Sequence, residues 1–207
     1  MKKAMIVALI GIISAALLVG CGASNKKDET ATNNQTQTQE NNKNDKSEVA
    51  EYKSGTYEVG KDIPAGEYLV LGDNINKEVE TSILQTKDTK KEDALYDESV
   101  YGPVYVTVEK GQYLNVENGK IFEMEKAPSN TPKDKVYKDG MYKVGRDIKA
   151  GTYEVKATKD DGEVEIYKDS KHTKDSLISK KEFKNTEKIT VKDGEYIMLE
   201  DAEITVK

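Results

Sequence analysis

Tryptophan is absent from this chain, and cysteine, histidine and arginine occur once each, as Cys21, His172 and Arg146. Each scarcity removes a class of chemistry. A single cysteine cannot form a disulfide within the chain, so its domains must be stable on packing alone. A single histidine with no Cys/His spacing around it leaves no zinc site of the usual kind and no repeated histidine-based catalyst. One arginine in a chain of formal net charge −6 is a poor balance for nucleic-acid or phosphate recognition, which relies on Arg forks and basic patches. Long apolar runs are also scarce, and the only one occupies residues 4–19.

That run follows Met1-Lys2-Lys3 and is apolar apart from Gly11 and Ser14. A positive start and a short apolar stretch have the layout of a secretory signal, and the stretch is short of the ~20 residues of a membrane span. It ends in Leu18-Val19-Gly20-Cys21, which resembles the lipobox of bacterial prolipoproteins. The resemblance implies cleavage between Gly20 and Cys21 and a diacylglycerol on the Cys21 thiol, sulfur being the nucleophile that takes the lipid. Fatty chains of the palmitate kind, two to a residue, give stable attachment at ~0.8 kcal/mol per buried CH₂. The expected location is extracytoplasmic, on the outer leaflet of the cell membrane. Loss of Lys2 and Lys3 with the signal (residues 1–20) would take the formal net charge from −6 to −8.

Residues 21–51 hold the lipid-accepting cysteine and a polar tract such as Asn33-Asn34-Gln35-Thr36-Gln37-Thr38-Gln39. So little apolar surface cannot offset the entropy of ordering. The segment reads as a disordered stalk with a reach of roughly 30 Å.

The rest of the chain is a duplication. The stretch from Tyr52 to Tyr68, with Gly55, Tyr57, Val59, Gly60, Asp62, Ile63, Ala65 and Gly66, returns from Tyr137 to Tyr153 with the same residues at matching places. Val108-Glu109-Lys110-Gly111-Gln112-Tyr113 returns as Val191-Lys192-Asp193-Gly194-Glu195-Tyr196, at an offset two residues smaller. Matching ends around a drifting middle describe two copies of one domain, residues 52–126 and 137–207, joined by a Pro-containing linker at 127–136. The runs Tyr68-Leu69-Val70-Leu71, Val104-Tyr105-Val106-Thr107-Val108 and Tyr113-Leu114-Asn115-Val116 read as short strands. Lys110-Gly111, Asn118-Gly119, Lys159-Asp160-Asp161-Gly162 and Asp193-Gly194 read as hairpin turns, and Ile63-Pro64-Ala65-Gly66 as a type I turn. Residues 92–101 and 175–183 could be short helices but read better as strand or loop. The expected fold is all-β: two tandem, duplicated, small β-sandwich domains of jelly-roll-like form.

The pattern Tyr-x-Val-Gly-x-Asp-Ile-x-Ala-Gly-x-Tyr resembles a repeat of uncharacterised lipoproteins and secreted proteins of Gram-positive bacteria. It covers both units, and it implies a β-rich extracytoplasmic module without implying any substrate.

No residue set announces catalysis. His172, in the polar stretch 168–174, reads as a solvated loop histidine. The repeated Asp62 and Asp147 read as turn caps that bond backbone N–H groups. Asp160, Asp161 and Glu163 could attract calcium, but no Asp-x-Asp-x-Asp-Gly loop is present. A paired-carboxylate hydrolase would need two facing acids, which a chain of 38 acidic residues does not identify. The repeated tyrosines could stack on sugars or anchor a partner, but recurrence in both copies favours packing. No motif requires a cofactor. The expectation is a membrane-anchored, non-catalytic binding or adaptor module, with a wall polymer or an extracellular protein as partner. An accessory role in an envelope transport or secretion complex is the alternative, and a carboxylate hydrolase the third.

Overall fold

A computed structural model describes residues 51–206 apart from Ile75. The expected signal (residues 1–20), Cys21 and the expected stalk up to residue 50 lie outside the described residues. The first module contains β1 (Glu51–Tyr52), β2 (Gly55–Glu58), β3 (Gly66–Gly72), β4 (Val79–Leu84), β5 (Tyr96–Val100), β6 (Val104–Val108), β7 (Tyr113–Glu117) and β8 (Gly119–Glu123). The second repeats the series as β9 (Val136–Tyr137), β10 (Gly140–Lys143), β11 (Gly151–Ala157), β12 (Gly162–Tyr167), β13 (Leu177–Phe183), β14 (Thr186–Val191), β15 (Tyr196–Glu200) and β16 (Ala202–Thr205).

Each module is a sandwich of two four-stranded antiparallel sheets, ordered β1-β8-β3-β6 and β2-β7-β4-β5 in the first copy. In the second the orders are β9-β16-β11-β14 and β10-β15-β12-β13, strand for strand the same. The chain changes sheet at every step except β4 to β5 and β12 to β13, which is the jelly-roll path. The two-residue difference between copies lies in the β3–β4 connection, residues 73–78 against 158–161.

Period-2 alternation fills both cores. Tyr68, Val70, Val104, Val106, Leu114 and Ile121 point inward in the first copy; Val155, Ile166, Ile189, Ile197 and Ile204 do so in the second. Two expectations need correction. The glycine dipeptides mark turns, yet Lys110-Gly111, Asn118-Gly119, Asp193-Gly194 and the Lys159–Gly162 stretch each join strands of opposite sheets and are not hairpins. Local turn chemistry sets the reversal, whereas the sheet a strand enters is decided by which face must be buried. The predicted turn at Ile63–Gly66 is also displaced. The hydrogen-bonded bend precedes it, Asp62 N–H donating to Glu58 C=O at 2.8 Å, and the Ile63 carbonyl accepts from Gly60 N–H at 2.7 Å. Residues 96–100 and 177–183 are strands, as read.

Candidate functional site at the module seam

The repeated motif is used up in making the fold. Asp62 Oδ2 accepts from Glu58 N–H and Asp147 Oδ2 from Lys143 N–H, both at 2.9 Å, so both acids are turn caps. The intervening Gly60 and Gly145 have φ of +91° and +92°, a conformation that costs a side-chain-bearing residue dearly. The tyrosines hold the strand ends. Tyr57 and Tyr142 donate to the carbonyls four residues earlier, of Lys53 and Lys138. Tyr68 and Tyr153 do the same to Pro64 and Lys149, at 2.6 Å in each copy. Tyr52 and Tyr57 meet edge to face at 5.7 Å, and Tyr137 and Tyr142 at 5.0 Å. Packing therefore accounts for these six repeated tyrosines.

Several of the differences between the copies collect in one place. Leu69, Tyr105 and Phe122, on the outward face of the first module's β3, β6 and β8, are buried against Met141, Tyr196 and Met198 of the second module's β10 and β15. The register aligns Leu69, Tyr105 and Phe122 with Glu154, Lys188 and Thr205, all exposed, and Met141 with the exposed Thr56. One sheet of each module thus carries apolar residues on both faces, and the outer pair of faces closes into a third core. Each large apolar side chain buried there contributes roughly 1.5–3 kcal/mol.

Polar groups set the register of this seam. Glu67 accepts from Lys143 Nζ at 2.6 Å, from Ser170 Oγ at 2.8 Å and from the Tyr196 hydroxyl. Burial alone would raise the Glu67 pKa, but these three donors overcome it and hold the carboxyl below its ordinary value. Tyr105 donates to Asp147 Oδ2 at 2.6 Å, so one cap serves both modules. The connection between β12 and β13 reaches across: Thr107 N–H donates to Ser170 C=O at 2.7 Å.

His172 rides on that connection, and its expected solvation is overturned. Its ring stacks on Tyr96 at 3.8 Å and lies 5.5 Å from Tyr167. Nε2 is 2.7 Å from the Tyr105 carbonyl oxygen. A carbonyl only accepts, so Nε2 carries hydrogen, and the remaining acceptor Nδ1 is buried with no partner among the described residues. Burial pushes its pKa down, against the opposing pull of the Tyr105 carbonyl, Glu165 and Asp169. A polar local sequence says nothing about a docking partner 67 residues away.

A cleft of about 690 Å³ opens beside the seam, walled by Pro103, Pro132, Val136 and Tyr142 and rimmed by Asp134, Lys138, Asp139 and Glu203. Tyr101 stands at its edge, 50% exposed. Its position is fixed from below. Gly102 lies so close to the second module that an added Cβ would fall 1.8 Å from the Asp139 carbonyl oxygen, and Met141 N–H donates to Pro103 C=O at 2.7 Å. A smaller hollow of about 80 Å³ gathers Glu98, Glu163, Glu165 and Glu200 around Lys180, which bonds Glu163 at 2.5 Å and Glu165 at 2.9 Å. Burial and then neighbouring carboxylates raise the pKa of Glu98 and of Glu200.

Of the acids considered for calcium, Glu163 is tied to Lys180, and Asp161 faces Lys184 at 4.0 Å. Among the described residues no group of three or more His, Cys, Asp or Glu side chains could hold a metal ion. Cys21 and Gly20 lie outside the described residues. The residues missed from sequence are the four tyrosines outside the repeat, Tyr96, Tyr101, Tyr105 and Tyr167, every one of which lies at the seam. Subtracting one copy from the other would have found them. Comparison of the chain with protein-family models, with curated proteins and with solved structures finds no match.

Proposed function

We propose that this protein is a lipid-tethered, extracytoplasmic, non-catalytic binding module of the kind its repeat resembles among Gram-positive lipoproteins. Cys21 anchors it, residues 22–50 form the spacer, and the two jelly rolls act together as one head. The observation that carries the binding reading is the cleft of about 690 Å³ at the seam, which falls within the size range of ligand sites and has an exposed aromatic at its edge. Residues that differ between the copies, among them Leu69, Tyr105, Phe122, Met141 and Met198, join the repeated Asp147 and Tyr196 at the seam, so the duplication supplies the scaffold and the differences close it. Two equivalent sites are not what this arrangement offers, because the faces left open on the two modules are different sheets.

A hydrolase is less well supported. The two hollows richest in carboxylates enclose only about 190 Å³ and about 110 Å³, with Glu163 of the first paired to Lys180 and Asp201, which lines both, paired to Lys159. Membrane fractionation of cells expressing the wild type and Cys21→Ser tests the anchor: the variant should leave the membrane fraction, and retention there would refute lipidation. Sedimentation of the protein with purified cell wall, and co-purification from membranes, test the binding role. Saturable association with a wall polymer or a protein is expected. Association only with a transport or secretion complex would favour the accessory role.

A further inference from the structure

The cleft at the seam also constrains the chemistry of its occupant. Tyr101 is the one unrepeated tyrosine left half exposed; Tyr96 is buried in the first module's core with His172 stacked on it, Tyr105 is buried in the seam, and Tyr167 is partly buried there. In the other copy the register places Lys184 at the corresponding position, so the jelly roll does not require an aromatic there. The backbone next to the ring is held by the close approach of Gly102 to Asp139 and the bond from Met141 to Pro103. An exposed aromatic ring on a fixed backbone, beside an apolar wall, offers a large contact surface with only two side-chain torsions to order.

Charge then selects the partner. On one side of Tyr101 the rim carries Asp134, Asp139 and Glu203 against Lys138 alone. On the other side the groove continues into a second hollow of about 110 Å³, with Glu78, Glu98, Glu200 and Asp201 against Lys159 alone. Lys159 is already paired with Asp201 at 2.6 Å. The raised pKa of Asp139, Glu98 and Glu200 comes from burial first and then from neighbouring carboxylates, which Lys159 beside Asp139 and Lys180 beside the two glutamates offset only in part. Tyr101 and Asp139 line both hollows, so the surface runs lengthwise past the ring. A run of carboxylates either side of an aromatic, over an apolar wall, complements an extended chain with alternating cationic and aliphatic groups.

Resting on the reading of this head as a binding module, we propose that the seam groove binds a lysine- or arginine-bearing extended peptide segment of a partner protein. Aliphatic parts of the segment lie on the wall formed by Pro103, Pro132 and Val136. One cation sits over the Tyr101 ring, and others meet the carboxylates on either side.

The test is fluorescence anisotropy on the full-length protein in detergent, with fluorescein-labelled Lys-Leu-Lys-Leu-Lys-Leu-Lys as probe and its Glu-for-Lys counterpart as control. Saturable binding of the basic probe only is expected, weakening at least several-fold between about 50 mM and about 500 mM salt. Tyr101→Ala should lower affinity roughly fivefold to tenfold and Tyr101→Phe should retain it, with unchanged circular dichroism. Asp134→Asn with Glu203→Gln should weaken binding and flatten its salt dependence. Glu154→Gln with Asp175→Asn, which removes equal charge elsewhere, should do neither. Equal weakening by both pairs, or indifference to Tyr101→Ala, would overturn the groove as the site. Failure of the basic probe beside Tyr101-dependent binding to cell wall would overturn the cationic class while leaving the binding module intact. Failure of both the probe and every wall and protein fraction would sink the two readings together.

Discussion

At the residue scale the duplication is an internal control, because the same fold position can be compared in two environments. Asp62 caps an exposed turn with one backbone bond, whereas Asp147 is buried and also accepts from Tyr105 across the seam. Asp147→Ala should therefore cost roughly 2–4 kcal/mol, since it strands a buried hydroxyl as well as a backbone donor. Asp62→Ala should cost about 1 kcal/mol, and urea denaturation of both variants checks the ordering. Thr81 points into the first core with its hydroxyl unpartnered among the described residues. The register places Val164 at the matching site. Thr81→Val should accordingly raise stability by about 1 kcal/mol, seen as a higher urea midpoint at unchanged slope.

At the scale of the element, one residue type in every two decides whether a sheet ends at water or at another module. In β15 the inward Ile197 and Leu199 belong to the second core, while Tyr196 and Met198 face the first module. Asn115 occupies the place of Met198 in β7. Met198→Asn restores the sister residue and should leave both jelly rolls folded while weakening their docking by about 2–4 kcal/mol. The expected signature is an increased radius of gyration by small-angle scattering with strand content unchanged. Gly102→Ala should act the same way for a steric reason, because its Cβ would collide with backbone that has no room to yield. A loss of strand signal in either variant would mean that the modules do not fold independently of the seam.

At the scale of the whole molecule, docking is coupled to pH through His172. Burial lowers its pKa from an ordinary 6.5, so the separated or unfolded chain binds the proton more tightly than the docked one. The stability it contributes is present above pH 6.5 and is lost as pH falls below that value toward the lower docked pKa. Glu67, held below its ordinary 4.5, acts in the same direction but only at more acid pH. Glu98, Glu200 and Asp139 act oppositely, since their raised pKa values favour the docked state as they protonate. Urea midpoints of the wild type should therefore fall between about pH 7 and pH 5.5, and His172→Phe, which keeps the stack on Tyr96, should remove that slope. A slope that survives in the variant would assign it to the carboxylates.

The strands, the duplication, the turn caps and the packing tyrosines were legible in the sequence, because each depends on contacts repeated identically in both copies. Tyr-x-Val-Gly-x-Asp-Ile reads the same twice since the same backbone bonds recur twice. The near-continuous apolar runs Tyr68–Leu71 and Tyr196–Leu199 also carried a sign of burial on both faces, though not of what would cover them. Which sheet each strand joins, the partnership of Leu69 with the second module, the seat of His172 and the cleft beneath Tyr101 were decided only in three dimensions. These depend on contacts between residues tens of positions apart, each made once, and a contact made once leaves no pattern along the chain. Two jelly rolls could be read along the chain; only folding in three dimensions brought the outer faces of two unlike sheets together and opened the cleft beside them.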